Sequence, residues 1–182
     1  SKENFKKALE DGHVNSITVF SKCHHGWSYH PTEVNKMHPG LSFDLLGAQL
    51  EVCKEIDVNA PVYISAGFDE KEFIEKPEWR YVISPDPERQ KEYENEVHFH
   101  LLCFNTGYLD FLCAQIEEVM KKYNPCGIFL DIISPRICYC EKCLADMKKA
   151  GLDYEKREVI TLKELMPKWW GKERYANQKI SE

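Results

Sequence analysis

The sequence has no apolar run approaching the roughly 20 residues needed to cross a bilayer, so a helical membrane protein is excluded. It also has no excess of basic residues, since 24 Lys and Arg stand against 30 Asp and Glu, a net charge of −6. This balance argues against a nucleic-acid-binding protein with a broad basic face. A phosphate-binding glycine loop and a G-x-S-x-G nucleophile elbow are missing as well. A chain of 182 residues, 43% of them hydrophobic, is nevertheless large enough for one folded domain.

No signal peptide opens the chain, and three of its eight cysteines are clustered. Both features favour a cytoplasmic protein. Because the first residue is Ser1 and not Met, a secreted or periplasmic protein whose leader has been removed would show the same sequence.

Strand–loop–helix units recur along the chain, and their order predicts an α/β fold with a parallel sheet and right-handed crossovers. Apolar runs rich in β-branched residues predict strands at 16–20, 61–66, 97–104 and 128–132. Helical periodicity predicts helices at 44–56, 110–123 and 141–149, the first of them capped by Asp44. The charge runs 70–78 and 88–96 are predicted to be solvated excursions. After Gly151 no further buried strand follows, so we expect one (β/α) domain over residues 1–182 that stops after its fourth unit.

Ligands of parallel α/β folds bind beyond the carboxyl ends of the strands. Asp131 ends the fourth predicted strand directly after an apolar run, where an ionised carboxylate is costly unless it is paired or used. A carboxylate there suits a nucleophile or base in glycoside chemistry. A structural role would explain Asp131 equally well, either as a helix cap or as a salt-bridged residue at the end of the strand.

Other polar side chains follow the remaining strand ends. His24 and His25 offer hydrogen bonds to sugar hydroxyls, and Trp27 offers a flat ring for stacking on a sugar. The two histidines are also suited to metal binding or to satisfying loop backbone groups. Asp69 follows the second strand and His100 lies in the third, so both are predicted to contact the substrate or to serve the structure.

Cys138, Cys140 and Cys143 form a C-x-C-x-x-C arrangement at a loop-to-helix junction. Thiols this close together favour a shared metal ion over disulfides. A structural zinc site needs four ligands, and Cys103 at the end of a neighbouring predicted strand supplies the fourth. The residues Cys53, Cys113 and Cys126 are predicted to be small core residues.

Several of these motifs resemble those of known glycosidases. Residues 20–27 (FSKCHHGW) are similar to the strand-one motif of α-L-fucosidases of glycoside hydrolase family 29, and 61–65 (PVYIS) to their second strand. Residues 127–131 (GIFLD) resemble the strand whose Asp is the nucleophile. A group of glycosyl hydrolases related to family 151 fucosidases shares the CHHGWSY stretch and the CYCEKC run. The four cysteines resemble the zinc cysteines of family 42 β-galactosidases.

This resemblance implies a (β/α)8 barrel and a retaining mechanism in which Asp131 attacks the anomeric carbon. His24 and His25 would contact sugar hydroxyls, and Trp27 would shape the pocket. A complete barrel typically needs about 250 residues, so the four units indicate a partial barrel. Its exposed edge strands invite pairing with a second copy. No position matches the family's acid/base residue.

Three hypotheses follow for the function. The first is a glycoside hydrolase acting on α-L-fucosides or related glycosides. The second is a truncated barrel that binds carbohydrate without turning it over. The third is a zinc-stabilised structural or oligomerising module in which the cysteine cluster is the essential feature.

Overall fold

The computed structural model describes residues 1–133 and 136–151. These fall into two compact units, one made of Ser1–Ala66 with Ala114–Ile132 and the other of Gly67–Cys113 with the described residues between Ile133 and Gly151. Each unit is described by itself. The segment 152–182, where the sequence predicts no further strand, lies outside the described residues.

In chain order, the helices and strands are α1 (Lys2–Asp11), β1 (Val19–Lys22), α2 (Leu45–Glu55), β2 (Val62–Ser65), α3 (Glu70–Glu75), α4 (Pro87–Asn95), α5 (Tyr108–Tyr123), β3 (Ile128–Asp131) and α6 (Glu141–Lys149). A short 3₁₀ turn, Pro77–Trp79, lies between α3 and α4. Within the described ranges, no helix has the length and apolar character needed to cross a membrane.

The first unit is built around a three-stranded parallel sheet in the order β1-β2-β3. All four residues of β2 are buried, and β2 is the central strand with a neighbour on each side. Val62 pairs with Ile128, and Ser65 pairs with Asp131. The prediction of an α/β fold with a parallel sheet is therefore confirmed.

The predicted strand at 97–104 is wrong. This stretch forms isolated antiparallel bridges, from Leu101 to Phe68 and from Leu102 to Arg80, while β2 pairs directly with β3. Val97 is fully exposed, and the backbone N–H of His100 donates to the Glu70 carboxylate instead of to a neighbouring strand. The described residues thus contain three strands of one parallel sheet, not the four expected of four βα units.

Of the two charge runs predicted to be solvated, 88–96 has no buried residue, whereas 70–78 contains α3, in which Lys71, Glu72 and Phe73 are buried. Asp69 caps α3 by accepting the backbone N–H of Glu72, with an N–O distance of 3.0 Å. Acidic residues at the cap and at the third helical position are a common start signal for a helix. The Lys71 ammonium forms a buried ion pair with the Glu72 carboxylate, so the run 70–78 is not solvated throughout.

The helix predicted at 44–56 is confirmed as α2. Asp44 caps it through Oδ1, which accepts the backbone N–H of Gly47 at 2.8 Å. Its other oxygen, Oδ2, accepts the hydroxyl of Tyr123, at the end of α5, at 2.7 Å. The carboxylate therefore both starts α2 and ties α5 to it.

We expect Ile64→Ala to lower the free energy of unfolding by about 2–5 kcal/mol, because Ile64 is fully buried in the central strand and the change leaves a cavity. Urea denaturation followed by circular dichroism measures the loss. The matched control is Ile74→Ala, which removes the same atoms from a side chain that is 64% exposed and should change stability by about 0.5 kcal/mol or less. Equal losses in the two variants would contradict a packed sheet centred on β2.

Candidate functional site

The carboxyl ends of the three strands lie side by side in the first unit. Ser65, the last residue of β2, is the register partner of Asp131, the last residue of β3. His24 follows β1 by two residues, and its Nδ1 lies 2.8 Å from the Ser65 hydroxyl oxygen. The structure therefore brings His24 and Asp131 to one edge of the sheet, where a ligand site is expected in a parallel α/β fold.

Two hydrogen bonds fix the carboxylate of Asp131. The Tyr63 hydroxyl donates to Oδ2 at 2.7 Å, and the backbone N–H of Ile132 donates to Oδ1 at 2.8 Å. Ile132 has a φ of +61°, in the left-handed region that β-branched residues rarely adopt. This conformation costs about 1–2 kcal/mol. The backbone is thus strained next to a carboxylate whose two oxygens each accept a hydrogen bond.

The electrostatics of the site favour a neutral His24. Burial lowers the pKa of His24, because desolvation penalises the imidazolium form, and the negative charge of Asp131 only partly opposes this. The positive charge of Lys22, which is fully buried at the end of β1, lowers the pKa further. A neutral imidazole both donates and accepts a hydrogen bond.

His25 and Trp27 lie on the turn that follows β1. The backbone N–H of Gly26 closes the turn on the carbonyl of Cys23 at 3.0 Å, and Gly26 has a φ of +88° that other residues adopt only with strain. His25 is exposed. Trp27 is half-buried, with its ring edge-on to His38 at a centroid distance of 6.3 Å.

Asp69 and His100 belong to the second unit, where each already has partners. Asp69 is fully buried as the cap of α3. His100 is buried, stacks on Phe73 at a centroid distance of 4.3 Å, and its Nδ1 lies 2.9 Å from a Glu70 carboxylate oxygen. Their contact with substrate stays a prediction.

The second unit also contains the cysteine cluster. The sulfurs of Cys103, Cys138, Cys140 and Cys143 all lie within 4.8 Å of one another. The Cys103 sulfur is 3.5 Å from that of Cys143 and 3.7 Å from that of Cys140. All but Cys140 are buried. This group of four thiols could hold a metal ion.

The thiols of the cluster differ in acidity. Hydrogen bonds, first of all with Cys103, lower the pKa of Cys138 and of Cys140, and the pKa of Cys103 is raised, mainly by its hydrogen bond with Cys138. Cys140 is also the N-cap of α6, a position that favours a thiolate. Thiolate is the form of cysteine that binds metals.

The three cysteines predicted to lie in the core differ from one another. Cys53 is buried as predicted, and Cys113 is half-buried. Cys126 is exposed, so its prediction is wrong; it lies in the turn between α5 and β3, outside both elements.

Two residues of the site were missed by the sequence reasoning, Tyr63 and Ser65. Both lie on β2, where the residues around them are apolar and buried. The missed signal is their spacing, because two hydroxyl side chains two positions apart on a buried strand face the same side of the sheet. Hydroxyls in such a strand need partners, and here one partner is the carboxylate of Asp131.

Comparison with solved structures gives an α-L-fucosidase-related fold. α-L-fucosidase isoenzyme 2 from Paenibacillus thiaminolyticus is 44% identical with a TM-score of 0.88, and the match covers 99% of this chain and 26% of that one. An α-L-fucosidase of family GH29 from Bacteroides thetaiotaomicron is 17% identical with a TM-score of 0.51, covering 72% of this chain and 27% of that one. The α-fucosidase of Thermotoga maritima is 19% identical with a TM-score of 0.51, covering 87% and 33%. The last two likenesses concern the fold alone.

The chain spans about a quarter of the length of the Paenibacillus enzyme. No curated protein matches it. A family model described as hypothetical glycosyl hydrolase 6 matches residues 1–132, which include all three strands of the sheet and the carboxylate of Asp131. The chain therefore belongs to the hypothetical glycosyl hydrolase 6 family.

Proposed function

We propose that this chain carries the nucleophile of a retaining α-L-fucosidase and that the nucleophile is Asp131. The observation that carries the proposal is the carboxylate itself, held through both oxygens at the end of β3 and close to a neutral His24. Support comes from the Paenibacillus structure, an enzyme named as an α-L-fucosidase that is 44% identical over nearly all of this chain.

In the proposed reaction a carboxylate oxygen of Asp131 attacks the anomeric carbon of the fucoside. The bond from that carbon to the carboxylate forms while the glycosidic bond breaks, and the leaving oxygen takes a proton from a general acid. Water then hydrolyses the glycosyl ester and frees the carboxylate. The acid is a second carboxyl group about 5–5.5 Å from the nucleophile in retaining enzymes. None of the residues of this chain is assigned to that role.

The sugar is held, in this proposal, by His24, His25 and Trp27. A neutral His24 can bridge hydroxyl groups, and the exposed His25 is accessible to a ligand. The half-buried Trp27 offers its ring to the C–H face of the sugar. His100 and Asp69 are weaker candidates for sugar contacts, because each is buried with partners in its own unit.

We also propose that the sheet is part of a (β/α)8 barrel. Among the described residues, β1 and β3 each pair along one side only. Phe20 and Phe129 flank Tyr63 at ring-centroid distances of 4.4 and 5.6 Å, and they are 41% and 51% exposed. A closed barrel would bury this face and pair both edges. A second copy docked on the edges is the alternative.

We expect Asp131→Asn to reduce hydrolysis of an aryl α-L-fucoside on the order of 10⁴-fold, because the amide is a poor nucleophile. The matched control is Asp44→Asn, since Asp44 accepts the same two kinds of hydrogen bond and Asn is an equally good helix cap. That variant should hydrolyse the fucoside at the rate of the unmodified protein. Mass spectrometry with a slowly hydrolysed 2-fluoro-fucoside should find the 2-fluoro-fucosyl group attached to Asp131.

Binding of fucose without turnover would contradict the enzyme and favour the carbohydrate-binding module. Turnover that survives in Asp131→Asn would assign the nucleophile to another residue. A protein that neither binds fucose nor hydrolyses the fucoside would overturn the proposed carbohydrate function as a whole.

We further propose that the cysteine cluster holds a structural zinc ion. Two sulfurs bound to one zinc ion at about 2.3 Å in a tetrahedron lie about 3.8 Å apart, close to the 3.5 and 3.7 Å separations of Cys103 from Cys143 and Cys140. Four thiolates complete the coordination of the metal and leave no position for substrate, as in structural sites. The ion would link the loop that holds Cys103 to the start of α6.

Metal analysis of the purified protein should find about one zinc per chain. Cys143→Ser should lose the metal and lower the midpoint of thermal unfolding, because binding of the ion contributes to folding. Cys126→Ser, which changes an exposed cysteine outside the cluster, should keep the metal and leave the midpoint of thermal unfolding unchanged. Absence of zinc together with free titration of all eight thiols would contradict the site.

A further inference from the structure

The turn that carries His25 and Trp27 is held at Gly26 by a side chain from further along the same loop. The backbone N–H of Gly26 donates to the carbonyl of Cys23 at 3.0 Å, which closes the turn. The carbonyl oxygen of Gly26 accepts a hydrogen bond from Nδ2 of Asn35 at 2.8 Å. Both backbone groups of the glycine are therefore engaged, one by the turn itself and the other by Asn35.

The second of these bonds matters because the residue is a glycine. Gly26 has a φ of +88°, and a glycine backbone passes easily between conformations with φ of either sign. The peptide that joins Gly26 to Trp27 can therefore rotate unless one of its ends is held. The hydrogen bond from Asn35 holds the carbonyl end, and with it the direction in which the Trp27 side chain leaves the turn.

The amide group of Asn35 fits this place in one orientation. A carbonyl oxygen only accepts, so the group that faces Gly26 must be the NH2 of Asn35 and not its Oδ1. The second hydrogen of the NH2 goes to the hydroxyl oxygen of Ser28 at 3.0 Å. Ser28 is buried, and its backbone N–H donates to the carbonyl of Lys36 at 3.0 Å. Asn35 thus ties the glycine to a segment whose backbone is already paired.

Glu118, on α5, holds the part of the loop from which Asn35 comes. Its Oε1 accepts the backbone N–H of Glu33 at 2.7 Å, and its Oε2 accepts the hydroxyl of Thr32. The hydroxyl oxygen of Thr32 in turn accepts the backbone N–H of Asn35 at 3.1 Å. Hydrogen bonds therefore run from α5 through the loop to the turn that carries Trp27, entirely within the first unit.

We propose that Asn35 is a positioning residue that fixes the peptide between Gly26 and Trp27, and that Glu118 anchors Asn35. The ring of Trp27 is then oriented before a sugar arrives, so binding does not lose the entropy of ordering it. The contribution to sugar binding rests on the proposed function, whereas the fixed peptide does not.

Asn35→Asp tests the bond with almost no change in size. An acceptor oxygen would face the carbonyl oxygen of Gly26, so the peptide should rotate and bring the N–H of Trp27 to the new carboxylate. The matched control is Asn95→Asp, which adds the same charge. Asn95 is exposed, and its Nδ2 also donates to a carbonyl oxygen, that of Lys91, at 2.7 Å.

Glu118→Gln tests the anchor without altering the turn itself. The amide nitrogen of Gln cannot accept, so one of the two hydrogen bonds to the loop is lost. The matched control is the neighbouring Glu117→Gln, because Glu117 is exposed and pairs with Lys121 of its own helix.

Nitrogen-15 NMR of the unmodified protein and the four variants gives the direct readout, with circular dichroism to show that each is folded. The side-chain hydrogens of Asn35 should exchange with solvent more slowly than those of the exposed Asn95. Asn35→Asp should move the backbone amide signal of Trp27, and Glu118→Gln should speed the exchange of the Asn35 hydrogens. Both control variants should leave these signals unchanged.

An amide signal of Trp27 that Asn35→Asp leaves unmoved would overturn the proposal. So would side-chain hydrogens of Asn35 that exchange as fast as those of Asn95. Neither result depends on turnover. An unmodified protein with slowly exchanging Asn35 hydrogens but no binding of fucose would instead overturn the proposed function and leave the fixed peptide intact.

Kinetics separate positioning from a merely structural role. Asn35→Asp should raise KM for an aryl α-L-fucoside about 10-fold, the effect of losing one hydrogen bond. The value of kcat should change little, because the hydrogen bonds to Asp131 are not altered. A variant with a lowered midpoint of thermal unfolding but an unchanged KM would make Asn35 a merely structural residue. A fall in kcat with KM unchanged would contradict a role in positioning Trp27 for sugar binding.

Discussion

Parallel pairing of β2 with β3 in a fixed register is the constraint on which the site depends. Because Ser65 is the partner of Asp131, the last residues of the two strands come to the same edge of the sheet. A shift of one residue would turn Tyr63 and Ser65 to the opposite face. The burial of all four residues of β2 strongly opposes such a shift, because polar and apolar side chains would exchange environments. The apolar packing of one short strand thus determines where a carboxylate finds its hydrogen-bond donors.

Much of this arrangement follows from the sequence, since β2 and β3 are short apolar runs and α2, α5 and α6 have helical periodicity. The convergence of the four cysteines follows in part, because three of them are close in sequence; the fourth, Cys103, joins them although the strand predicted to end there does not form. The stretch 97–104 was misjudged because its apolar residues are used in isolated bridges and its histidines are held by side chains. The local sequence pattern cannot distinguish isolated bridges from a strand of the sheet, since the residues that would pair with it are distant in sequence.

Asp44 and Asp131 show why site residues are harder to predict than elements. Both carboxylates accept one tyrosine hydroxyl and one backbone N–H at nearly equal distances. One caps a helix and lies at the start of α2; the other ends a strand beside a histidine. Residue type and hydrogen bonding are the same for both, so the difference lies in what surrounds them. That information belongs to the packed chain and not to any local stretch of it.

The positive φ of Ile132 determines which substitutions position 132 tolerates. The other non-glycine residues with positive φ in the described ranges are His13, Asp57 and Asn124, types that enter the left-handed region far more readily than isoleucine. Glycine at position 132 would relieve about 1–2 kcal/mol of strain, yet it would also let the chain leave β3 in other directions. Oδ1 of Asp131 would then lose a donor that the isoleucine conformation holds in place. At position 132, stability and a fixed carboxylate are therefore opposed: glycine would give the more stable chain, whereas isoleucine holds the Asp131 carboxylate in a defined orientation.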